Sequence, residues 1–172
     1  LFPNLTKEPF NDLNVRQGLS LALDRAAVGD AAAEGYMDEA GQTNILLPYQ
    51  QDDLDPSIPN QGLIAQDTEA ALAAFARAGY TQQGDRLVNE AGEQLSLSIT
   101  TANGYTDWLR GVQEVSRQWS AIGIDATYPY GTVIKTVGDL CGPASEEHGG
   151  NVVEVADVPG WQDYDFPELD SK

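Results

Sequence analysis

Leu95-Ser96-Leu97-Ser98-Ile99-Thr100, then Tyr105 to Ile122, then Ile124-Asp125-Ala126-Thr127-Tyr128: these three consecutive pieces decide the fold. In the first, Leu95, Leu97 and Ile99 alternate with serine and threonine, the period of a half-buried strand. In the second, Trp108, Val112, Val115, Trp119 and Ile122 follow the spacing i, i+4, i+7, i+11, i+14, which places all five on one face of a helix. Gly123 ends that helix, and the third piece reads as another strand. A strand, a helix and a strand in this order return the chain in the same direction, so the sequence predicts strands over 95–101 and 124–128 lying parallel in one sheet, joined by the helix. The fold class read from this stretch is α/β.

Working upstream, Gly84 to Gly92 reads as a hairpin-like segment, and Asp67-Thr68-Glu69 opens a helix with Ala71, Leu72, Phe75 and Ala78 inward and Gly79 at its close. From Gly41 to Gln66 the residues Pro48, Pro56, Pro59 and Gly62 interrupt every periodicity, leaving Ile45-Leu46-Leu47 as a possible short strand in a long surface excursion. Near the start, Pro9-Phe10-Asn11-Asp12 is turn chemistry leading into Val15, Leu19, Ala22 and Ala26 at helical spacing, with Asp12 as cap. Asp24 either continues that helix or caps a second one running to Glu34, with Gly35 as its stop. Downstream, Thr132 to Leu140 reads as a short helix, Gly142 to Asn151 as a Gly-rich acidic loop, Val152 to Ala156 as a strand, and Pro159 to Lys172 as irregular. No internal repeat is present.

The chain has 172 residues, of which 41% are hydrophobic, enough for a single globular core. Lysine and arginine number 9 against 27 aspartates and glutamates, a formal charge of -18 that repels nucleic acid and anionic membrane surfaces alike. Cys141 is the single cysteine, which excludes an internal disulfide framework and a cysteine-rich zinc site. No apolar run approaches the roughly 20 residues that span a bilayer. The opening Leu1-Phe2-Pro3-Asn4 lacks the regions of a secretion signal, so the protein is either cytosolic or has had a leader removed. The sequon Asn4-Leu5-Thr6 is too short a pattern to carry an argument.

Candidates for chemistry are few. His148 is the single histidine, in the loosest loop of the chain, which leaves little from which to build a histidine triad or zinc site. Cys141 has no basic neighbour in sequence to activate its thiol. Asp52-Asp53 and Glu146-Glu147 lack the spaced oxygens and glycine of a calcium loop. Arg16 and Asp24, two helical turns apart, share a face and read as a structural pair. Trp108 and Trp119 belong to the helix stripe and read as core. Trp161 and Asp163 differ: a large ring and an acid stand together outside any evident element, where site residues concentrate, although an exposed acidic tail is the blander reading. An enzyme reading needs a nucleophile with a base, a metal cluster or a phosphate cradle, and none is evident, so the expectation is no enzyme, no cofactor and no metal.

The run Pro9-Phe10-Asn11-Asp12-Leu13-Asn14-Val15-Arg16-Gln17-Gly18-Leu19-Ser20-Leu21-Ala22-Leu23-Asp24-Arg25 resembles the signature of the peptide- and nickel-type, family 5, extracellular solute-binding proteins of ABC importers. The resemblance continues through Ala71 to Tyr80, through the strand, helix and strand quoted above, and through Gly160-Trp161-Gln162-Asp163-Tyr164-Asp165-Phe166-Pro167. It is strong over residues 1–128 and weak over 129–172. It implies one α/β lobe of a periplasmic-binding-protein-like, type II (cluster C) two-lobed clamp, with residues 1–172 a single partial second lobe. It further implies capture of a small-molecule or peptide ligand, delivery to the membrane permease of an importer, a monomeric state, and an extracytoplasmic location, either in the periplasm or lipid-anchored at the outer face of the cell membrane. Peptides are the leading ligand class; nickel complexes and oligosaccharides are also bound within the family. In peptide binders an aspartate just after the Gly-Trp pair takes the ligand's α-ammonium. Asp163 falls there with Trp161 and Tyr164 beside it, and because the spacing from Trp161 is one residue shorter than in the typical motif, Asp165 is the alternative. An intracellular regulator that uses such a lobe as its sensor is the second functional reading.

Overall fold

The computed structural model describes residues 1, 3–39, 41–43, 45, 47–101, 105–128 and the strand at 152–153. Its elements run, in chain order, α1 (Leu13–Leu21), α2 (Arg25–Ala33), α3 (Thr68–Arg77), β1 (Thr81–Gln83), β2 (Arg86–Val88), β3 (Ser96–Ile99), α4 (Thr106–Ala121), β4 (Asp125–Thr127) and β5 (Val152–Val153). Two short 3-10 turns, Gln51–Asp53 and Pro59–Gly62, lie between α2 and α3.

The strand-helix-strand unit forms as its periodicities dictate. β3 pairs parallel with β4, Leu97 opposite Ala126, and α4 makes the crossover. β5 pairs parallel with the other edge of β3, Ile99 opposite Val153, so the strand order is β4-β3-β5 with β3 central. β3 is paired on both edges, and one of its faces is buried: Leu97 and Ile99 are each 1% exposed, whereas Ser96 on the other face is exposed. β1 and β2 form a separate antiparallel hairpin whose two-residue turn is Gly84-Asp85. The hairpin therefore begins earlier than the segment 84–92 read from the sequence, because the turn sits at its first glycine.

Each helix is started by an aspartate or by the turn before it. Asp12 accepts from the Asn14 amide at 2.7 Å, Asp24 from the Ala27 amide at 3.0 Å and Asp67 from the Ala70 amide at 2.8 Å. Asp24 thus opens a second helix and does not extend the first. At the end of α1 the Gly18 and Ser20 carbonyls are met locally by the Ala22 amide, and distant segments supply others: Leu19 O accepts from Trp119 Nε1 at 3.1 Å, Leu21 O from the Asp67 amide at 2.8 Å, and the following Ala22 O from Gln66 Nε2 at 2.9 Å. Gln118, buried on α4, imitates a backbone strand toward the α1–α2 junction: its Oε1 takes the Asp24 amide at 2.7 Å and its Nε2 gives to Asp24 O at 3.2 Å.

α1 packs on α3, and α2 on α4. The core joins Phe10, Val15, Leu19, Ala71 and Phe75 to Leu87, Leu97, Ile99, Val112, Val115, Trp119 and Ile124. Two glycines are needed for this approach. A Cβ at Gly18 would lie 2.7 Å from the Phe75 ring, and one at Gly123, where φ is +92°, would lie 2.7 Å from the Leu87 nitrogen.

Three expectations are corrected. The short strand expected at 45–47 is not borne out at the residues described there: Ile45 has no regular structure and Leu47 enters a turn ahead of Pro48, while Leu46 lies outside the described residues. Arg16 does not pair with Asp24; its Nη1 turns back to Phe10 O at 2.6 Å and Asn11 O at 3.0 Å, because Asp24 faces the start of α2 as its cap. Trp108 is not core: it is 46% exposed. The expected helix at 132–140, loop at 142–151 and continuation of the last strand to Ala156 lie outside the described residues.

Candidate functional site

The residues of the long amino-terminal signature build scaffold. Asp12 and Asp24 are caps, Arg16 ties the turn ahead of α1 to the helix, and Arg25 gives Nη1 to Ile64 O at 3.1 Å and Nη2 to Ser20 Oγ at 2.8 Å. Partial burial pulls the Arg25 guanidinium below its ordinary pKa, with Glu39 opposing that shift. Through Arg25 the excursion at 41–66 is anchored to α1. Each of these side chains is engaged in a hydrogen bond that holds the scaffold together.

Two concavities flank this scaffold. One, of about 550 Å³, has an apolar floor that includes Leu19, Leu23, Val28, Ala32 and Trp119, with Arg16 and Arg25 on its wall. The other, of about 540 Å³, is polar and carries Glu8, Asp12, Glu93 and Tyr80. Burial raises the Tyr80 phenol above its ordinary pKa, and the charges of Glu8, Glu93 and Asp12 push it the same way. Among the described residues no cluster of histidine, cysteine and carboxylate side chains is arranged to hold a metal ion.

The third feature is the end of the sheet. Since β3, β4 and β5 are parallel, their carboxyl ends lie along one edge, and α4 is the next element after β3 in the chain. At the head of α4 the rings of Tyr105 and Trp108 stack with centroids 4.8 Å apart and planes at 23°. Both are about half exposed, 48% and 46%. Helical side chains lean toward the amino terminus, so a tryptophan in the first turn overhangs the start of the helix and passes beyond the layer that buries Val112 and Val115. That position in the first turn was the available signal in the sequence; spacing alone placed Trp108 with Trp119. Four residues of the sequence-predicted site, Trp161, Asp163, Tyr164 and Asp165, lie outside the described residues, as do Cys141, His148 and Glu146-Glu147. Asp52-Asp53 are exposed in a 3-10 turn.

Residues 1–131 match the family described as bacterial extracellular solute-binding proteins, family 5, middle segment. The chain belongs to that family, a family of solute binders. No curated protein matches it. Among solved structures it is similar to the periplasmic oligopeptide-binding protein of an ABC transporter from Thermotoga maritima, at 21% identity and a TM-score of 0.71, covering 82% of this chain and 27% of that one. The same Thermotoga protein is also known with mannohexaose bound. It is similar as well to the oligopeptide-binding protein AppA from Bacillus subtilis in complex with a nonapeptide, at 23% identity and a TM-score of 0.56, covering 74% and 25%. A third likeness is NikA from Brucella suis in complex with Fe(III)-EDTA, at 19% identity and a TM-score of 0.60, again covering 74% and 25%. These likenesses establish the fold: an α/β lobe of a periplasmic-binding-protein-like clamp. The chain spans about a quarter of the length of these relatives. Among the described residues, no helix is long and apolar enough to cross a membrane.

Proposed function

We propose that residues 1–172 are one partial lobe of a clamp that captures peptides outside the cytoplasm and delivers them to the membrane permease of an ATP-driven importer, with no bond made or broken. The whole protein is monomeric in this reading, and either periplasmic or lipid-anchored at the outer face of the cell membrane. Asp163 receives the peptide's α-ammonium, Trp161 shields that contact from water, and Tyr164 flanks it. A carboxylate beside an apolar ring makes a charge-assisted hydrogen bond to an ammonium that is stronger than a neutral one.

The observation that carries the reading is the parallel sheet of a family 5 chain. The connection after β3 and the chain after β5, which leads in sequence toward Trp161 and Asp163, both depart from its carboxyl edge. In open α/β sheets that edge is where ligands bind. The test is calorimetric titration of the complete protein with tri- to pentapeptides. Asp163→Asn keeps the side chain's size and removes its charge, and it is expected to weaken binding by about 1.5 to 3 kcal/mol. If Asp165→Asn weakens binding and Asp163→Asn does not, the ammonium site is Asp165; if neither matters, the assignment fails.

A further inference from the structure

The formal charge of -18 has no part in the reading above, and the fold neutralises little of it internally. Among the described residues no carboxylate is buried: Asp12, Asp24 and Glu114 are half-buried and every other one is exposed. The cations that could answer them are engaged elsewhere. Of the six arginines, Arg16 and Arg25 donate to main-chain carbonyls, Arg77 to Asn14 Oδ1 and Arg86 to Gln94 Oε1, all neutral oxygens. Among the described residues, ion pairs join two arginines to carboxylates, Arg110 to Glu34 and Arg117 to Glu114. Between Arg25 and Arg77 the chain carries nine acids and no lysine or arginine at all.

From this arrangement we infer that the fold depends on dissolved salt: mobile cations of the medium supply the neutralisation that the chain's own basic side chains do not, and the folded state is more stable at high ionic strength than at low. The inference does not rest on which ligand the clamp holds.

The sign follows from what salt screens. Folding gathers like charges that the unfolded chain keeps further apart, so a large net charge of one sign opposes the compact state through self-repulsion. Exposed charges separated by more than about 10 Å are largely screened at 0.1 M salt, and the repulsion among scattered surface acids is of that kind. Salt weakens attractions too. The Arg110–Glu34 pair is about half exposed on both sides, 45% and 62%, and such pairs are worth little to begin with. The helix caps of Asp12, Asp24 and Asp67 are hydrogen bonds at contact distance, which screening touches least. Relief of repulsion therefore outweighs the loss of attraction.

The experiment is thermal unfolding of the complete solute-binding protein, followed by circular dichroism, in sodium chloride from about 20 mM to about 500 mM. The wild-type midpoint is expected to rise by about 5 °C or more across that range. Choline chloride, and sodium sulfate at matched ionic strength, are expected to give the same rise, because screening depends on ionic strength and not on the identity of the ion. Two variants at exposed side chains that cap no helix locate the source in this lobe. Asp52→Asn, Asp53→Asn, Asp85→Asn and Glu90→Gln together remove four charges at nearly constant shape; Asp52→Lys, Asp53→Lys, Asp85→Lys and Glu90→Lys together reverse them. The rise is expected to shrink in the amide variant and to shrink further in the lysine variant. If the lysine variant does not fold, the amide variant decides.

A wild-type midpoint that stays level or falls as sodium chloride is added overturns the inference. A rise of equal size in wild type and variants also overturns it, since the cause then lies outside these charges. A rise in sulfate well beyond that in chloride at matched ionic strength means exclusion of the salt from the protein surface, and a rise that saturates at micromolar calcium and is missing in choline chloride means a discrete cation site; either result overturns it. The peptide titrations that test the proposed function are a separate measurement, so failure of one leaves the other standing.

Discussion

Two tryptophans share one face of α4, eleven residues apart, and have opposite fates. Trp119 is 2% exposed and gives its indole N–H to Leu19 O, so it both fills the core and satisfies an orphan carbonyl at the end of α1. Trp108, three turns earlier on the same stripe, stacks on Tyr105 in the open. Helical spacing defines which side of a cylinder is apolar. It carries no information about where along that side the covering layer stops. On this helix it stops short of Trp108, where the stripe reaches the sheet's carboxyl edge.

The sharpest way to break the comparison is to truncate each ring. Trp119→Ala is expected to destabilise the chain by about 3 to 5 kcal/mol, since it opens a cavity and strips Leu19 O of its donor. A urea titration followed by circular dichroism measures this, and a shift under 1 kcal/mol would put Trp119 outside the core. Next in size, Gly18→Ala sets a methyl carbon 2.7 Å from the Phe75 ring, and the resulting displacement of α1 from α3 is expected to cost about 1 to 3 kcal/mol in the same titration. A neutral or stabilising result would show that Phe75 can turn aside. Trp108→Ala is the contrasting case: about 1 kcal/mol, because the ring is half exposed, leaves no enclosed cavity and loses mainly its stacking on Tyr105. A loss as large as that of Trp119→Ala would erase the distinction between the two ends of the helix.

The smallest effect lies midway along α4. Arg117 donates two hydrogen bonds to the Glu114 carboxylate, and these hold it below the ordinary carboxylate range; burial opposes the shift, and Gln118 and the charge of Arg117 assist it. A carboxylate depressed in the folded state contributes stability that is present above its unfolded pKa and is lost as pH falls through the folded value. The contribution therefore disappears only in acid. Arg117→Gln should raise the Glu114 midpoint toward its ordinary value, as followed by carboxyl-carbon NMR shifts, and an unmoved midpoint would assign the depression elsewhere.

The strand-helix-strand unit was legible because two incompatible periods meet at sharp boundaries: Leu95, Leu97 and Ile99 alternate, and then Val112, Val115 and Trp119 recur at helical spacing. The helix starts at Asp12, Asp24 and Asp67 were legible for a local reason, since a cap needs only its own side chain and an amide two or three residues on. Long-range arrangements gave no such signal. Nothing adjacent in sequence marks Arg16 for Phe10 O, or Gln118 for the main chain of Asp24, because those contacts depend on how the helices pack. Ile45 to Leu47 showed a strand-like composition, but a strand also needs a neighbour to receive its hydrogen bonds, and composition does not supply one. The candidate site divides in the same way. Asp163 and Trp161 drew notice through a motif, whereas Trp108 passed as core because its exposure is a property of the assembled layers.

The order of the sheet also bears on how this lobe is made. β3 meets β4 across 29 residues, Ser96 to Asp125, with α4 between them, but its other neighbour arrives only at Val152. During synthesis the first pairing can close while the second edge of β3 still presents a row of unpaired amides and carbonyls, an invitation to another chain. The family match ends at residue 131, before that edge is covered. A chain trimmed to the matched residues would keep the buried side chains described for the core and yet be expected to aggregate, because it loses the strand that closes β3 against its own kind.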